Sequence, residues 1–195
     1  KAVLRVPTDR GGEGVAIVVD GYWPAKQGRD ALKVEWDTSA VAKPDTTALL
    51  AQYRELAAKP GNVAMQADMA PLAGAAHKIS AEFVFPYLAH APMEPLNCTV
   101  KLDGDKAELW MGTQMPGLDA MAAAKTLGLQ PQNVKVNTQM AGGGFGRRAI
   151  PTSDYVVEAC GVAKAARTAG ITAPVRTLWS REDDIKGGYY RPMHV

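Results

Sequence analysis

The sequence predicts an α+β fold in which a short mixed unit precedes a larger region of strands and helices. Two runs of apolar and β-branched residues, Cys98 to Leu102 and Ala107 to Met111, flank the turn signal Asp103-Gly104-Asp105 and predict a hairpin. A run at helical spacing, Gly117 to Leu127, follows them. The chain has 195 residues, of which 47% are hydrophobic, so it is long enough to bury a core.

The first part of the chain predicts a β-β-α-β unit and then a linker with one helix. Its strands are expected at Val3 to Pro7, Gly14 to Asp20 and Lys33 to Asp37, with a helix at Tyr22 to Leu32. The polar stretch 38–45 leads to a helix at Asp45 to Ala58, which Pro60-Gly61 ends, and 62–76 predicts no element.

The second part, from His77 onward, alternates strands with helices. Besides the hairpin and its following helix, the pattern predicts the following elements: a strand from Ile79 to Phe85, a proline-rich loop over 87–97, a strand from Val134 to Met140, a helix capped by Thr152 or Ser153 that runs to about Arg167, and a strand from Val175 to Trp179. The charged residues 181–184 are typical of a solvated loop or a helix start.

Composition excludes several classes of protein. The net charge of +2 argues against nucleic acid as a partner. Cys98 and Cys160 are far apart and form no CxxC motif, so neither a zinc site nor a disulfide framework is expected. No apolar run is long enough to predict a membrane span.

A glycine-rich loop over 142–148 is the most distinctive motif, with four glycines in five positions. Such a loop can adopt positive φ and present consecutive N–H groups to an anion, and Arg147 and Arg148 add positive charge. Because Arg147-Arg148-Ala149 follows the glycines, neither the Walker pattern nor GxGxxG is matched. Two interpretations stay open: a ligand-binding loop, or a structural turn with solvated arginines.

Other polar residues are candidates with weaker signals. Gln114, just after a predicted strand, can present its amide to a ligand or bond to backbone. His90 and Cys98 suggest a cysteine hydrolase, but Cys98 lacks an adjacent base or helix N-terminus and is more typical of a buried structural thiol. Glu94, between two prolines, is expected to accept hydrogen bonds from backbone N–H groups.

Several motifs occur in a fixed order: Tyr22 to Asp37, His90-Ala91-Pro92-Met93-Glu94-Pro95, Gly112-Thr113-Gln114, Gly142-Gly143-Gly144-Phe145-Gly146-Arg147-Arg148, Trp179-Ser180-Arg181-Glu182-Asp183 and Tyr190-Arg191-Pro192. In this order they resemble the xanthine dehydrogenase/aldehyde oxidase family of molybdenum hydroxylases. Within that family the His-Ala-Pro-Met-Glu-Pro and Gly-Arg-Arg forms resemble the isoquinoline 1-oxidoreductase beta subunit group. The resemblance covers nearly the whole chain.

The resemblance implies a domain organisation. Residues 1–40 would be the C-terminal part of an α/β hammerhead domain, 41–76 a linker with one helix, and 77–195 the N-terminal part of a molybdopterin-binding domain with a mixed sheet and flanking helices. The chain is therefore expected to be a piece of a longer subunit. The family's general-base glutamate is expected beyond Val195, so no catalytic residue is expected here, and this piece alone is predicted to be inactive.

The resemblance also implies a cofactor, partners and a reaction. The cofactor is expected to be molybdopterin cytosine dinucleotide, which holds molybdenum without protein ligands, and Gln114 would hydrogen-bond an oxygen ligand of the metal. The 2Fe-2S clusters would lie on a separate small iron–sulfur subunit, and the rest of the large subunit would complete the pocket for a small-molecule substrate. The expected cofactor-binding residues are Gln114, Gly142, Gly143, Gly144, Phe145, Gly146 and Arg147.

With water as oxygen source, the expected reaction is hydroxylation of an N-heteroaromatic compound or oxidation of an aldehyde. A purine is not expected, because Ala149 stands where xanthine-oxidising members carry a glutamate. Relatives of this group are often exported, which favours the periplasm over the cytoplasm. Two other hypotheses stay open: a non-redox module whose glycine loop binds a phosphate-bearing ligand, and the Cys98–His90 hydrolase.

Overall fold

The computed structural model describes residues 1–8 and 11–195, which form two compact units. The larger unit consists of Lys1–Val34 and Ala89–Tyr189, and the smaller unit consists of Glu35–Leu88 and Tyr190–Val195. Among the described residues, strands and helices are mixed along the chain, which confirms the predicted α+β class.

The elements of the described residues follow one another in the order β1 (Ala2–Pro7), β2 (Glu13–Val18), α1 (Tyr22–Asp30), α2 (Thr46–Ala57), α3 (Ala70–Ala73), β3 (Val84–Phe85), β4 (Asn97–Asp103), β5 (Lys106–Met111), α4 (Pro116–Leu127), a 3-10 turn (Pro131–Asn133), β6 (Val134–Thr138), α5 (Asp154–Thr168), β7 (Val175–Leu178), α6 (Arg181–Lys186) and β8 (Met193–His194). Among the described residues, every helix is too short or too polar to span a lipid bilayer.

A four-stranded mixed sheet, with strand order β6-β5-β4-β7, is the centre of the larger unit. β4 and β5 form the predicted antiparallel hairpin, in which Gly104 has a φ of 58°. β6 returns parallel to β5 after crossing through α4, and Met111 pairs with Thr138 at the end of both strands. The carboxyl ends of β5 and β6 therefore meet at one edge of the sheet, and the loops that follow them start side by side.

The core of the larger unit lies between this sheet and helices α4 and α5. Leu109 of β5 is fully buried, and burial of such a side chain contributes about 1.5–3 kcal/mol. Small residues, among them Ala159, Ala163 and Ala166, make up much of the buried face of α5. The buried core comprises Leu96, Cys98, Val100, Ala107, Leu109, Met111, Ala123, Tyr155, Val156, Ala159, Cys160 and Ala163.

The β1–β2 hairpin and α1 also belong to the larger unit. A Cβ on Gly28 of α1 would lie 3.0 Å from Ile17 Cγ2, so the glycine allows this helix to pack closely on β2. A Cβ on Gly161 of α5 would lie 3.5 Å from the carbonyl oxygen of Pro7, at the end of β1. Gly28 thus allows the close approach of α1, whereas a methyl group at Gly161 would make an ordinary van der Waals contact.

The smaller unit has little buried surface. α2 begins at Asp45, whose side chain accepts a hydrogen bond from the Ala48 N–H at 2.8 Å, and neither α2 nor α3 contains a buried residue. β3 pairs with β8 in an antiparallel ladder of two residues. Glu82 accepts from Arg54 Nε at 2.8 Å and lies 2.7 Å from His194 Nε2, so these three side chains connect α2 with the β3–β8 ladder.

Three predictions differ from the structure. The stretch 62–76, for which the sequence predicts no element, contains the short helix α3, so the linker has two helices and not one. The other two predictions concern strands. No strand forms over 33–37, where Trp36 is 64% exposed, so that prediction is wrong. The predicted strand from Ile79 to Phe85 is reduced to Val84–Phe85, and Ile79 is almost fully exposed. The reason is the same in both places: the apolar side chains are largely exposed, so no packed face stabilises a longer strand.

Candidate functional site

The candidate site lies at the sheet edge where β5 and β6 end. Gln114 follows Met111 by three residues, and the glycine loop follows Thr138 by four. The N–H of Gln139 donates to the carbonyl of Met111 at 2.8 Å, so the chain leaving β6 stays beside the chain leaving β5. Strand register alone therefore brings together two motifs that are 28 residues apart in the sequence.

The first two glycines of the loop pack directly on the segment that contains Glu94. Gly142 donates its N–H to Glu94 Oε2 at 2.9 Å, and its carbonyl accepts from the Glu94 N–H at 3.0 Å. A Cβ on Gly142 would lie 2.6 Å from Glu94 Cβ, and one on Gly143, whose φ is 103°, would lie 3.0 Å from Pro92 Cβ. A side chain at either position would collide with the segment that contains Glu94.

The third glycine, Gly144, packs on the side-chain amide of Gln114. A Cβ at Gly144 would lie 2.7 Å from Gln114 Oε1 and 3.0 Å from Cδ. Oε1 also accepts a hydrogen bond from the backbone N–H of Arg148 at 3.1 Å, and the Gln114 N–H donates to the Arg148 carbonyl at 3.2 Å. The backbone bond expected of Gln114 is therefore present, and its Nε2 donor makes no hydrogen bond to the residues that the structure describes.

Four consecutive backbone N–H groups, from Gly143 to Gly146, donate to no atom within residues 1–8 and 11–195. Phe145 has a φ of 53° and a side chain that is 76% exposed, and Gly146 has a φ of 92°. A non-glycine residue at positive φ is costly and tends to persist at ligand sites. A run of free N–H groups beside a free amide donor is suited to a ligand rich in oxygen acceptors.

Arg147 is buried, and its guanidinium points away from the loop toward helix α5. It donates to both carboxylate oxygens of Asp154 at 3.0 and 2.7 Å, and its Cζ lies 5.2 Å from the ring centre of Trp179 and 5.8 Å from that of Tyr189. The interpretation with solvated arginines is wrong for this residue. Ser153 occupies the predicted cap position of α5, but its φ is 50° and its side chain makes no cap bond.

Arg148 is also buried, and its side chain turns in the opposite direction, into the loop. Its Nε donates to the Gly143 carbonyl at 3.1 Å, Nη1 to the Gly112 carbonyl at 3.2 Å, and Nη2 to the Glu94 carbonyl at 3.1 Å and to Glu94 Oε2 at 2.9 Å. The positive charge of Arg148 is therefore paired internally with Glu94. Neither arginine is available as a free cation for a phosphate.

Glu94 is the acceptor on which these contacts converge. Burial acts to raise its pKa, but hydrogen bonds from the Gly142 N–H and the Asn97 amide, together with the charge of Arg148, outweigh burial and hold the pKa below its usual value. The Asn97 Nδ2 group donates to Oε1 at 2.8 Å. The expectation that Glu94 accepts from backbone is confirmed.

A second buried network supports the segment before Gln114. Tyr155 donates its hydroxyl to the Gly112 carbonyl at 3.0 Å, Thr113 Oγ1 donates to Asp119, and the Met115 N–H donates to Thr113 Oγ1 at 3.0 Å. Burial raises the pKa of Asp119 more than these hydrogen bonds lower it. Residues on α4 and α5 thus fix the backbone on both sides of Gln114.

The cysteine-hydrolase hypothesis is wrong. Cys98 and Cys160 are both buried, and burial raises the pKa of both thiols, that of Cys160 to about 12. A thiol in this state is not a nucleophile at neutral pH. Among the described residues, no group of three or more His, Cys, Asp or Glu side chains is arranged to hold a metal ion.

Sequence comparison identifies relatives of the chain. Residues 55–194 match the family model of the molybdopterin cofactor-binding domain. The chain is 30% identical to the isoquinoline 1-oxidoreductase subunit beta of Brevundimonas diminuta over 97% of its length and 24% of that relative. It is 28% identical to a membrane-bound aldehyde dehydrogenase [pyrroloquinoline-quinone] of Gluconacetobacter polyoxogenes, over 93% of the chain and 23% of the relative.

A third relative is the molybdenum-binding subunit of an aldehyde oxidoreductase from Escherichia coli (strain K12), which is 33% identical over 60% of the chain and 15% of the relative. The chain therefore spans about a quarter or less of the length of these curated relatives. The family match includes both the Gln114 segment and the glycine loop.

Proposed function

Because the chain belongs to the molybdopterin cofactor-binding domain family, we propose that it is part of the large subunit of a molybdenum-dependent oxidoreductase. The whole protein would hydroxylate an N-heteroaromatic compound or oxidise an aldehyde, with water as the oxygen source. Two relatives support this reaction class, since one is named for isoquinoline oxidation and another for aldehyde oxidation. Within the chain, the supporting observation is the run of four backbone N–H groups, from Gly143 to Gly146, that have no partner among the described residues and lie beside Gln114.

In this proposal Gln114 and the loop residues Gly142, Gly143, Gly144, Phe145 and Gly146 line the cofactor. The residues present fit such a group, because four free N–H groups lie in the loop that packs on the Gln114 amide, and oxygen atoms of a pterin or a diphosphate are suitable acceptors for these donors. When bound, the molybdenum cofactor supplies two-electron redox chemistry. The chain's own contribution is to bind and orient this group with fixed backbone donors.

Arg147 takes a supporting role in the proposal. Its guanidinium bonds to Asp154 and lies near two aromatic rings, so it acts on the cofactor by holding the end of the glycine loop to α5.

The finer parts of the proposal are the cytosine dinucleotide form of the cofactor, a small iron–sulfur subunit with 2Fe-2S clusters, and a pocket completed by the rest of the large subunit. Residues 1–40 would end a hammerhead domain, and 77–195 would begin the cofactor-binding domain.

The first experiment is a cofactor measurement on the full-length protein from its native host. We expect about one molybdenum and one CMP, released by acid, per large subunit, the stoichiometry of a single cofactor. Pyrroloquinoline quinone is measured in the same sample, because one relative is named for that cofactor. A preparation without molybdenum, from a host able to make the cofactor, contradicts the proposal, and so does one that contains the quinone in its place.

A matched pair of glutamine variants then tests the site. Gln114 and Gln139 follow the neighbouring strands β5 and β6, but only Gln114 touches the glycine loop. In the full-length protein, Gln114→Met should lower molybdenum content and turnover, whereas Gln139→Met should leave molybdenum content unchanged. Equal molybdenum content and equal turnover in both variants would exclude Gln114 from the site.

A further inference from the structure

We propose that Arg148 is the positioning residue that fixes the cofactor site's three segments in one geometry. These segments are the one that contains Glu94, the one from Gly112 to Gln114, and the glycine loop. The inference rests on the proposed function, since the three segments matter together only if they form one site. It assigns to Arg148 a task distinct from that of its neighbour Arg147.

The contacts of Arg148 reach all three segments. Its side chain donates hydrogen bonds to the carbonyls of Gly143, Gly112 and Glu94 and to the Glu94 carboxylate, with distances between 2.9 and 3.2 Å. Its backbone adds two hydrogen bonds to Gln114. The side chain of Arg148 is completely buried, so no water competes for these donors.

Only a guanidinium can make this set of bonds. Its planar fork carries donors in several fixed directions, whereas a lysine ammonium is a single point with three donors on a flexible stem. A lysine in place of Arg148 would keep the charge opposite Glu94, but it could not reach three carbonyls on three segments at once. Because two of those carbonyls belong to glycines, the arginine positions backbone, and through backbone the free donors of the loop.

Glu94 completes the arrangement as the charged partner. It accepts from Arg148 and from the Gly142 N–H on the same oxygen, so it links the guanidinium to the start of the loop. The other charged group that acts on Glu94 is Arg176, and Asn97 is its neutral donor. Protonation of Glu94 would therefore weaken the Gly142 contact, while the bonds from Arg148 to carbonyl oxygens remain.

The test compares Arg148→Lys with Arg147→Lys in the full-length protein. Both residues are 1% exposed and both pair with a carboxylate, so the second variant controls for the general effect of disturbing a buried ion pair. The amide hydrogens of Gly142 and Gln114 are followed by hydrogen exchange, together with molybdenum content. In Arg148→Lys, exchange at these amides should be at least about tenfold faster, as expected for lost charged hydrogen bonds, and molybdenum content should fall.

Arg147→Lys should leave exchange at the two amides within about twofold of wild type, because none of its bonds reaches them. Unchanged exchange in Arg148→Lys, equal acceleration in both variants, or accelerated exchange with wild-type molybdenum content would each overturn the inference. Absence of molybdenum from the wild-type protein would instead contradict the proposed function, and the exchange comparison would still decide whether Arg148 holds the segments.

Glu94→Gln is the second variant, and if Arg148→Lys does not fold it tests the part of the inference in which the charged partner of Arg148 links the guanidinium to the loop. Glutamine preserves the size of the side chain and an acceptor for Gly142, but it removes the titrating charge. In wild type, the protection factor of the Gly142 amide should fall as the pH is lowered through the depressed pKa of Glu94, and in Glu94→Gln this pH dependence should disappear. The same pH profile in both proteins would overturn the inference.

Discussion

Gly144→Ala is the substitution whose effect follows most directly from the site's geometry. The backbone of Gly144 is not in the positive-φ region, so alanine fits the local conformation. The added methyl group would lie 2.7 Å from Gln114 Oε1, a distance that real Cβ contacts essentially never show, and a tight 3.0 Å from Gln114 Cδ. Because the obstacle is the end of a flexible side chain, we expect the amide of Gln114 to move and the loop to stay.

The size of the effect is set by the bond that this movement breaks. Gln114 Oε1 accepts from the Arg148 N–H at 3.1 Å, and a shift of several tenths of an ångström takes it beyond hydrogen-bond distance. The net value of such a bond is about 1 kcal/mol, so the free energy of unfolding should fall by about that amount and exchange of the Arg148 amide should be about fivefold faster.

Urea unfolding and amide hydrogen exchange measure the two effects, and Gly117→Ala serves as the control. Gly117 lies in the first turn of α4 with an ordinary φ and no atom within 4 Å of its added Cβ. Its replacement should be neutral or stabilising by up to about 1 kcal/mol. The reasoning is refuted if Gly144→Ala leaves exchange of the Arg148 amide unchanged, or if it costs more than about 3 kcal/mol, the upper range for overpacking with backbone shifts.

Three further predictions concern buried groups. Cys98 and Cys160 should not react with a thiol reagent in the native protein and should both react after unfolding; a fast native reaction would contradict their raised pKa values and burial. Leu109→Ala should lower the free energy of unfolding by about 2–5 kcal/mol in a urea titration, because the side chain is fully buried in the core. Asp119 has a folded-state pKa raised mainly by burial, so its ionisation weakens the fold as the pH rises from its unfolded value through the folded one, and Asp119→Asn should gain stability relative to wild type across that window. A stability difference between Asp119→Asn and wild type that does not vary with pH would contradict this.

Local signals explain why much of the larger unit could be predicted from the sequence. The turn at Gly104 and the helix end at Gly128, which has a φ of 74°, depend on a glycine at a fixed place in a short motif. The strand predicted over 33–37 depended instead on a neighbour to cover its apolar face. The same holds for Ile79 to Phe85, and a pattern in one segment carries no information about what packs on it.

The candidate site shows the same difference between features that a local sequence pattern predicts and features that depend on distant contacts. The glycine loop and Gln114 stand out in the sequence because an unusual run of glycines and a polar residue after a strand are visible locally. The pairing of Glu94 with Arg148 spans 54 residues and depends on sheet register, so no local pattern predicts it. The sequence does not distinguish the two adjacent arginines. In the folded chain Arg147 bonds to Asp154, whereas Arg148 bonds to the glycine loop.

Several hydrogen bonds within the described residues hold the glycine loop. Backbone that is flexible in solution usually loses conformational entropy when a ligand binds, and this loss weakens affinity. Here Glu94, Gln114 and the side chain of Arg148 hydrogen-bond to the backbone of the loop from Gly142 to Arg148. Because these bonds form when the chain folds, we expect a ligand at the loop donors to lose less free energy to loop ordering than it would at a loop without them.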